Sequence, residues 1–350
     1  MTLSTTRRVV AAGVVAAALA VPVLPSSAQA ASSAPSAASR ARTADGWLAT
    51  RLVDGSHFEV TFGDLSFPDQ GLTIDGILAF ASGKVAEKQQ KAATTWLTQP
   101  DILAGYVGDG TGESYSGAHA KAVLALQVRG KNPRKVAGRD LVAELKALQA
   151  PSGRFVDRSA FGDFSNAFGQ SLGVVALKRA GSSIGAPARY LAGQACSDGG
   201  IPIQFEQITC TASVDATAIA VQALHAAGKK SAAHNAVAWL VAHQNADGGF
   251  GDGTTNANST GLAAAALAIE GHDGAARRAR AAIGTLQQGC TAAPADRGAI
   301  ALDSTGFDPD TAIRATTQAV LGLAGTDLNT LTAKRSSNAL PAPTCPAGTL

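Results

Sequence analysis

Aromatic residues are scarce in this 350-residue chain, which has 3 Trp, 3 Tyr and 11 Phe. A cavity that stabilises carbocations needs walls of aromatic rings, and so few rings argue against one. Neither Cys-x-x-Cys nor Cys-x-x-His occurs around the four cysteines. The close ligand spacing of a typical zinc site is therefore missing, and we expect neither a metal nor another cofactor.

The chain also has little net charge and few long apolar runs. It contains 29 Lys and Arg against 26 Asp and Glu, with no basic cluster, so nothing in the charge pattern predicts a nucleic-acid partner. After residue 30 no apolar run approaches the roughly 20 residues that a membrane span requires. We therefore expect no membrane span in the mature protein.

The N-terminus has the three parts of a secretory signal peptide, which we assign to residues 1–30. A basic Arg7-Arg8 pair precedes an apolar run from Val9 to Leu24, and Ala28-Gln29-Ala30 forms a cleavage-site pattern. The arginine pair fits general secretion and leaves twin-arginine export open. We expect a secreted, extracellular monomer.

Composition divides the rest of the chain into three parts. Residues 31–44 are rich in Ala and Ser and predict a disordered linker. Residues 45–340 carry periodic apolar patterns and predict a single domain, and residues 341–350 form a tail. The even number of cysteines in an exported protein indicates disulfides. Of the three possible pairings we favour Cys196 with Cys210, which bracket one loop, and Cys290 with Cys345, which would tie down the tail.

A glutamine recurs every 43 to 50 residues, each time at the end of an amphipathic segment and before a loop that leads into a more apolar segment. These glutamines are Gln99, Gln149, Gln194, Gln244 and Gln287. A period of this length is typical of repeat architectures whose units bury their apolar faces against their neighbours. The amphipathic segments predict outer helices and the apolar ones predict inner helices.

Six such helix pairs predict an all-α fold, an α/α toroid of six inner and six outer helices built from repeats of about 45 residues. An open superhelix is the alternative. The loops contain turn-forming and capping residues, which we interpret as structural joints. The joint residues are Gln149, Gln194, Gln244, Gly248, Gly249 and Phe250, and the predicted caps of the inner helices are Ser165 with Asn166, Ser213 with Asp215, Ser259 with Thr260, and Asp308 with Asp310.

The segments QNADGGF, QACSDGG and QAPSGRF resemble the repeat motif of squalene and hopene cyclases, protein prenyltransferase β-subunits and cobalamin carriers. The resemblance implies the same toroid. It also places Asp310, in FDPDTA, at the position of the cyclase proton donor, although the similar start SVDATA at Asp215 favours a repeated helix cap. None of the four cysteines has an aspartate two residues before it, unlike the zinc-binding cysteine of prenyltransferases.

Two kinds of function are compatible with these sequence features. We expect a protein that binds a small molecule or a cell-surface partner at the mouth of the barrel, where the N-termini of the inner helices favour anionic or hydroxyl-bearing groups. Asp75, His119, Asp215 and Asp310 are the candidate ligand-binding residues. The alternative is an enzyme: a terpene cyclase that uses Asp310, or a polysaccharide lyase that uses Tyr115 and His119 on one helical face.

Overall fold

A computed structural model of the chain describes residues 34–346. The predicted signal peptide, residues 31–33 of the predicted linker and the last four residues of the tail lie outside this range. No helix within residues 34–346 has the length and apolar content to cross a membrane.

Two concentric layers of helices make up the described chain. The inner layer consists of α2 (Gln70–Gly83), α5 (Ser116–Val128), α7 (Ala167–Arg179), α9 (Val214–Ala226), α11 (Ala257–Ile269) and α13 (Pro309–Ala324). The outer layer consists of α1 (Ala37–Ala49), α3 (Glu87–Leu97), α6 (Leu141–Ala147), α8 (Gly185–Ala192), α10 (Lys230–Ala242) and α12 (Asp273–Leu286). A further helix, α4 (Pro100–Val107), lies between α3 and α5 in the chain.

The inner helices form a closed ring. Each packs against the next one along the chain, and the last, α13, packs against the first, α2. Helix α1 contacts α13, α2 and α12, so the outer layer is continuous across the point of closure. The α/α toroid is therefore confirmed and the open superhelix is excluded.

Small residues allow the inner helices to pack closely. A β-carbon on Gly261 of α11 would lie 2.3 Å from the Gln318 carbonyl oxygen of α13, and one on Gly169 of α7 would lie 3.0 Å from Gly117 Cα of α5. The outer helices bury one face only. In α12, Ala276, Ala279 and Ile283 are buried while Arg277 and Arg278 are exposed, the pattern that the amphipathic sequence predicts.

The loops are joined to the inner helices by buried polar side chains. Four threonines and one glutamine, each on an inner helix, accept a hydrogen bond from a buried backbone N–H of the preceding loop. The pairs are Phe58 with Thr73, Phe155 with Gln170, Ile201 with Thr217, Phe250 with Thr260 and Ile300 with Thr316, at 2.8–3.0 Å. Each loop is thereby fixed to the helix that it precedes.

Gln244, Gly248 and Phe250, which the repeat predicts to be joint residues, contact the loop and the neighbouring outer helix. The Gln244 amide donates to the carbonyl oxygens of Gly248 and Ala275, and Phe250 is fully buried. Gly248 has φ +89°, and a β-carbon there would lie 2.8 Å from Arg278 Cβ. A β-carbon on Gly249 would likewise meet the side chain of Thr255. Both positions therefore require glycine.

The side chains of Gln149 and Gln194 form no hydrogen bond in the described structure, contrary to the role that the repeat predicts for them. In the repeat that contains Gln149, the equivalent hydrogen bonds come from the inner helix, where the Gln170 amide donates to Gly153 O and Pro187 O. These acceptors correspond to those of Gln244. The bonding glutamine can thus lie either at the end of the outer helix or on the inner helix, because only its side-chain amide has to reach the two carbonyl oxygens.

Three regions differ from the sequence expectation. The predicted linker 31–44 is helical from Ala37, because Ala41 and Ala44 pack in the core as part of α1. A two-stranded antiparallel hairpin, β1 (Phe58–Phe62) with β2 (Leu65–Asp69), precedes α2 where only helix was expected. Helix α4 follows Gln99, which is therefore not followed by a simple loop.

The C-terminal segment, residues 325–340, crosses the C-terminal ends of several inner helices. Arg179 at the end of α7 donates to the carbonyl oxygens of Leu328, Asn329 and Leu331, and Gln222 of α9 donates to Thr326 O. The buried side chains of Leu328 and Leu331 belong to the same apolar cluster as the inner helices. The segment therefore covers this end of the barrel, which we call the base.

Two disulfides are present, Cys196–Cys210 and Cys290–Cys345. The first closes the loop between α8 and α9, and the second fastens the C-terminal tail to the loop after α12. These are the pairings that the loop positions favour.

Candidate functional site at the mouth of the barrel

The mouth is the end of the barrel where the inner helices begin. Asp69, Asn166, Ser213, Asn256 and Asp308 cap five of these helices through their side-chain oxygens. Three of the four predicted cap pairs therefore contain one residue that caps its helix, and the pair Ser259 with Thr260 contains none. Asp308 accepts from the Asp310 N–H at 3.1 Å, and Asn256, not Ser259 or Thr260, caps α11.

Two layers of side chains follow from the inner-helix residues that accept from the loops, Thr73, Gln170, Thr217, Thr260 and Thr316, and from His119, which has the same place in α5. Because a helix turns once in 3.6 residues, the positions two before and two after each of these six residues lie on the opposite side of the helix, toward the barrel axis. The first layer is Gly71, Gly117, Phe168, Asp215, Asn258 and Arg314, and the second is Asp75, Lys121, Leu172, Ile219, Leu262 and Gln318. All but Ile219 are partly exposed or exposed on helices that are otherwise largely buried.

Asp75 is satisfied by neighbouring residues of the barrel. Its Oδ1 lies 2.7 Å from Lys121 Nζ, which also donates to Gly71 O at 3.0 Å. Burial alone would lower the pKa of Lys121, but the adjacent Asp75 carboxylate outweighs it and holds that pKa above its usual value. The pair links α2 to α5, and we assign Asp75 to that structural contact.

His119 has a structural environment as well. It is fully buried, with Nδ1 2.9 Å from Tyr115 O and Nε2 2.9 Å from Glu144 Oε2. It is the fourth residue of α5, the place that Thr217 and Thr260 occupy in α9 and α11. The Tyr115 hydroxyl donates instead to Glu113. The pair that a lyase would need therefore does not converge on a common point.

Asp310 lies exposed in the first turn of α13. A cyclase acid must sit in an apolar lumen that keeps it protonated, and this position provides no such surroundings. Asp310 is neither the helix cap nor a buried acid, and only its backbone N–H takes part in capping.

Asp215 and Asn258 are the polar residues of the mouth that are left incompletely bonded. Each has a buried Oδ1 with no hydrogen-bond partner, and the two occupy equivalent positions on the neighbouring helices α9 and α11. Burial raises the pKa of Asp215, partly offset by a hydrogen bond from Ser259, while the nearby Asp252 raises it further.

A cavity of about 450 Å³ lies beside these two residues, among the loops of the mouth. Its walls include Asp215 and Asn258 together with two further carboxylates, Asp252 and Asp303, and the apolar side chain of Ile203. Among residues 34–346, no three His, Cys, Asp or Glu side chains are arranged so that they could hold a metal ion together. The cavity is suited to a ligand that offers several hydroxyl groups, because the carboxylate and amide oxygens accept hydrogen bonds from hydroxyl groups and the Asn258 amide N–H donates to them.

Sequence reasoning identified Asp215 but missed Asn258, Asp252 and Asp303 as members of one site. Alignment of the helix starts SVDATA and NANSTG places Asn258 opposite Asp215 and Thr260 opposite Thr217. That alignment could have found Asn258. The two loop aspartates carry no comparable signal, because their approach depends on how the loops after α10 and α12 fold.

No family model and no curated protein matches the chain. Solved structures do match it, at low sequence identity. A protein from Actinoplanes shares 15% identity over 83% of this chain and 99% of its own, with a TM-score of 0.61. A type II terpene cyclase from Scytonema shares 14% identity over 83% and 98%, with a TM-score of 0.61.

A third similar structure is an inactive variant of an α-1,6-mannanase from Salegentibacter in complex with α-1,6-mannotriose. It shares 10% identity over 84% of this chain and 99% of its own, with a TM-score of 0.60. The chain therefore has the α/α-toroid fold of these proteins. Because one fold serves such different enzymes, the fold alone does not assign an activity.

Proposed function

We propose that this protein is a secreted binding protein that holds a small, hydroxyl-bearing ligand in the cavity between α9 and α11. The observation that carries the proposal is that Asp215 and Asn258, which line one cavity, each have a buried Oδ1 without a hydrogen-bond partner. A buried polar atom without a partner costs about 1–3 kcal/mol. A ligand hydroxyl that bonds to both atoms would recover part of this cost.

The negative charge of the cavity favours neutral ligands over anionic ones. Three aspartates line it, so the anionic ligands that helix N-termini alone would favour are repelled here. Neutral hydroxyl-bearing groups, such as those of an oligosaccharide, are compatible with both the carboxylates and the Asn258 amide. The oligosaccharide bound to the structurally similar mannanase makes α-1,6-mannotriose a reasonable first ligand to test.

Calorimetric titration of the purified protein with α-1,6-mannotriose tests the proposal. We expect saturable binding that weakens at least about tenfold, or about 1.4 kcal/mol, in Asn258→Ala and in Asp215→Asn. Asp310→Asn is the matched control, since it removes a carboxylate from the same mouth outside the cavity. Equal affinity in all four proteins would contradict the proposal.

Secretion is the second part of the proposed function. The signal-like residues 1–30 support it, and so do the two disulfides, because disulfides persist in oxidising compartments.

The enzymatic alternatives have less support from the described residues. Asp310 is exposed, and Tyr115 and His119 are engaged in separate structural contacts. Incubation with squalene should yield no cyclised product. A product that disappears in Asp310→Asn would establish the cyclase alternative instead.

A further inference from the structure

Large apolar side chains are exposed mainly on the loops of the mouth. Phe62, Leu65 and Phe67 lie on the hairpin before α2, Phe161 and Phe164 lie on the loop before α7, and Ile208 lies on the loop before α9. Phe161 is 80% exposed and Phe62 is 71% exposed. Exposed apolar side chains gathered on one face mark a surface that another molecule covers.

We call four exposed residues of two loops the rim patch: Phe161 and Phe164 before α7, and Ile203 and Ile208 before α9. The two loops that carry them are held together. The Ala167 N–H donates to Ile203 O at 3.0 Å, joining the start of α7 to the second loop. The second loop is also closed by the Cys196–Cys210 disulfide.

Arg154 links the same two loops through ion pairs. Its guanidinium pairs with Asp163 at 3.0 Å and with Glu206 at 3.2 Å, and it lies 5.8 Å from the centre of the Phe205 ring. The exposed side chains are therefore presented by a fixed framework. A rigid apolar surface binds a partner with a smaller loss of conformational entropy than a flexible one.

The mouth is strongly acidic. The loops that lead into the inner helices contain sixteen Asp and Glu residues but only four Arg and no Lys; these loops are residues 50–69, 98–115, 148–166, 193–213, 243–256 and 287–308. A face with this imbalance attracts cations and repels anions. It disfavours an anionic membrane surface, which recruits basic proteins.

A second copy of the chain fits this face less well than a different polypeptide. The base carries Lys131, Arg134, Lys135, Lys334 and Arg335, which could meet the acidic loops in a head-to-tail stack. Among the described residues, however, Leu340 is the large apolar side chain exposed on the C-terminal segment at the base. Such a stack would leave the rim patch largely uncovered.

We propose that the mouth face docks a basic segment of another protein that carries exposed apolar side chains. Its cations would pair with the acidic loops, and its apolar side chains would cover the rim patch. This surface adjoins the Asp215–Asn258 cavity, because Ile203 belongs to both. The variants used below change none of the residues that line the cavity, so failure of one proposal can be told from failure of the other.

A fluorescent synthetic peptide of alternating Lys and Leu clusters, patterned as an amphipathic helix, serves as the test molecule. We expect the full chain to bind it, with affinity that falls as NaCl is raised. Phe161→Ser/Phe164→Ser should weaken binding at least about tenfold, as expected for central apolar contacts. Leu340→Ser, which removes an exposed apolar side chain at the base, should leave the affinity unchanged.

The charge contribution is tested separately. Asp64→Lys, in the exposed turn of the hairpin, should lower the affinity severalfold and reduce its dependence on salt. A matched peptide with Glu in place of Lys should not bind. Circular dichroism melting of each variant verifies that the exposed substitutions leave the fold intact.

Four results would overturn the docking proposal. They are unchanged peptide affinity in Phe161→Ser/Phe164→Ser, binding of the Glu peptide, co-sedimentation of the protein with phosphatidylglycerol vesicles, and a mass in sedimentation velocity that rises with protein concentration. The last result would instead indicate head-to-tail association of copies. Mannotriose affinity, measured on the same variants, reports on the cavity proposal, because none of these variants changes a residue that lines the cavity.

Discussion

At the scale of single residues, burial determines what each candidate carboxylate can do. Asp310 is exposed and Asp75 is paired with Lys121, whereas Asp215 is partly buried with one oxygen unpartnered. The sequence shows all three as aspartates near the start of an inner helix. It could not separate them, because the difference lies in which neighbouring helix or loop approaches each side chain.

Asp45 of α1 is an extreme case of the same effect. It is fully buried, and neither carboxylate oxygen has a hydrogen-bond partner. Burial raises its pKa well above the usual value, against a smaller lowering effect of Arg42. The folded protein therefore binds this proton more tightly than the unfolded chain does.

Because of Asp45, we expect the free energy of unfolding to decrease as pH rises. Its favourable contribution is complete below the unfolded pKa, about 3.9, and is lost as the pH rises through the folded pKa. Each unit of upward shift corresponds to about 1.4 kcal/mol. Denaturant unfolding from pH 3 upward should show a steeper decline in the wild type than in Asp45→Asn.

Asp54→Asn provides the control, because that carboxylate is exposed on the nearby loop. Its pH profile should follow the wild type. Parallel profiles for the wild type and Asp45→Asn would show that Asp45 does not titrate differently in the folded state.

At the scale of the elements, the sequence predicted the repeat and its helices better than the joints. Outer helices α3, α6, α8, α10 and α12 end within two residues of the recurring glutamines, because apolar periodicity and turn chemistry are local. The hydrogen bonds of the buried threonines could not be predicted, because a Thr in an apolar helix looks the same in the sequence whether or not it bonds to a distant loop. The start of α1 was not predicted for a related reason: Ala41 and Ala44 are stabilised there by packing in the core.

We expect the joint hydrogen bonds to stabilise the fold individually. Thr260→Val keeps the shape of the side chain but leaves the Phe250 N–H without its acceptor, which should cost about 1–3 kcal/mol. Thr260→Ser keeps the hydroxyl and loses one buried methyl group, about 0.8 kcal/mol. Urea unfolding should therefore rank the Val variant below the Ser variant.

The reverse order would indicate that the methyl contact outweighs the hydrogen bond. In that case the recurrence of a polar residue at the fourth helical position would need an explanation other than loop attachment.

At the scale of the whole molecule, closure of the ring creates the site. Asp215 and Asn258 belong to neighbouring repeats, and the loop aspartates Asp252 and Asp303 come from the loops that precede α11 and α13. The C-terminal segment covers the base, while the acidic loops surround the mouth. The sequence predicted that such a mouth exists, because it predicted six helix pairs. Which side chains share a cavity depends on the close packing of adjacent inner helices.

The central claim is that Asp215 Oδ1 and Asn258 Oδ1 bind hydroxyl groups of a ligand. A crystal structure of the protein soaked with α-1,6-mannotriose tests this claim most directly. We predict that saccharide hydroxyl groups lie within hydrogen-bond distance of Asp215 Oδ1 and Asn258 Oδ1, in the cavity between α9 and α11. Both oxygens bonded to protein groups, with the saccharide absent from that cavity or bound elsewhere, would contradict the account.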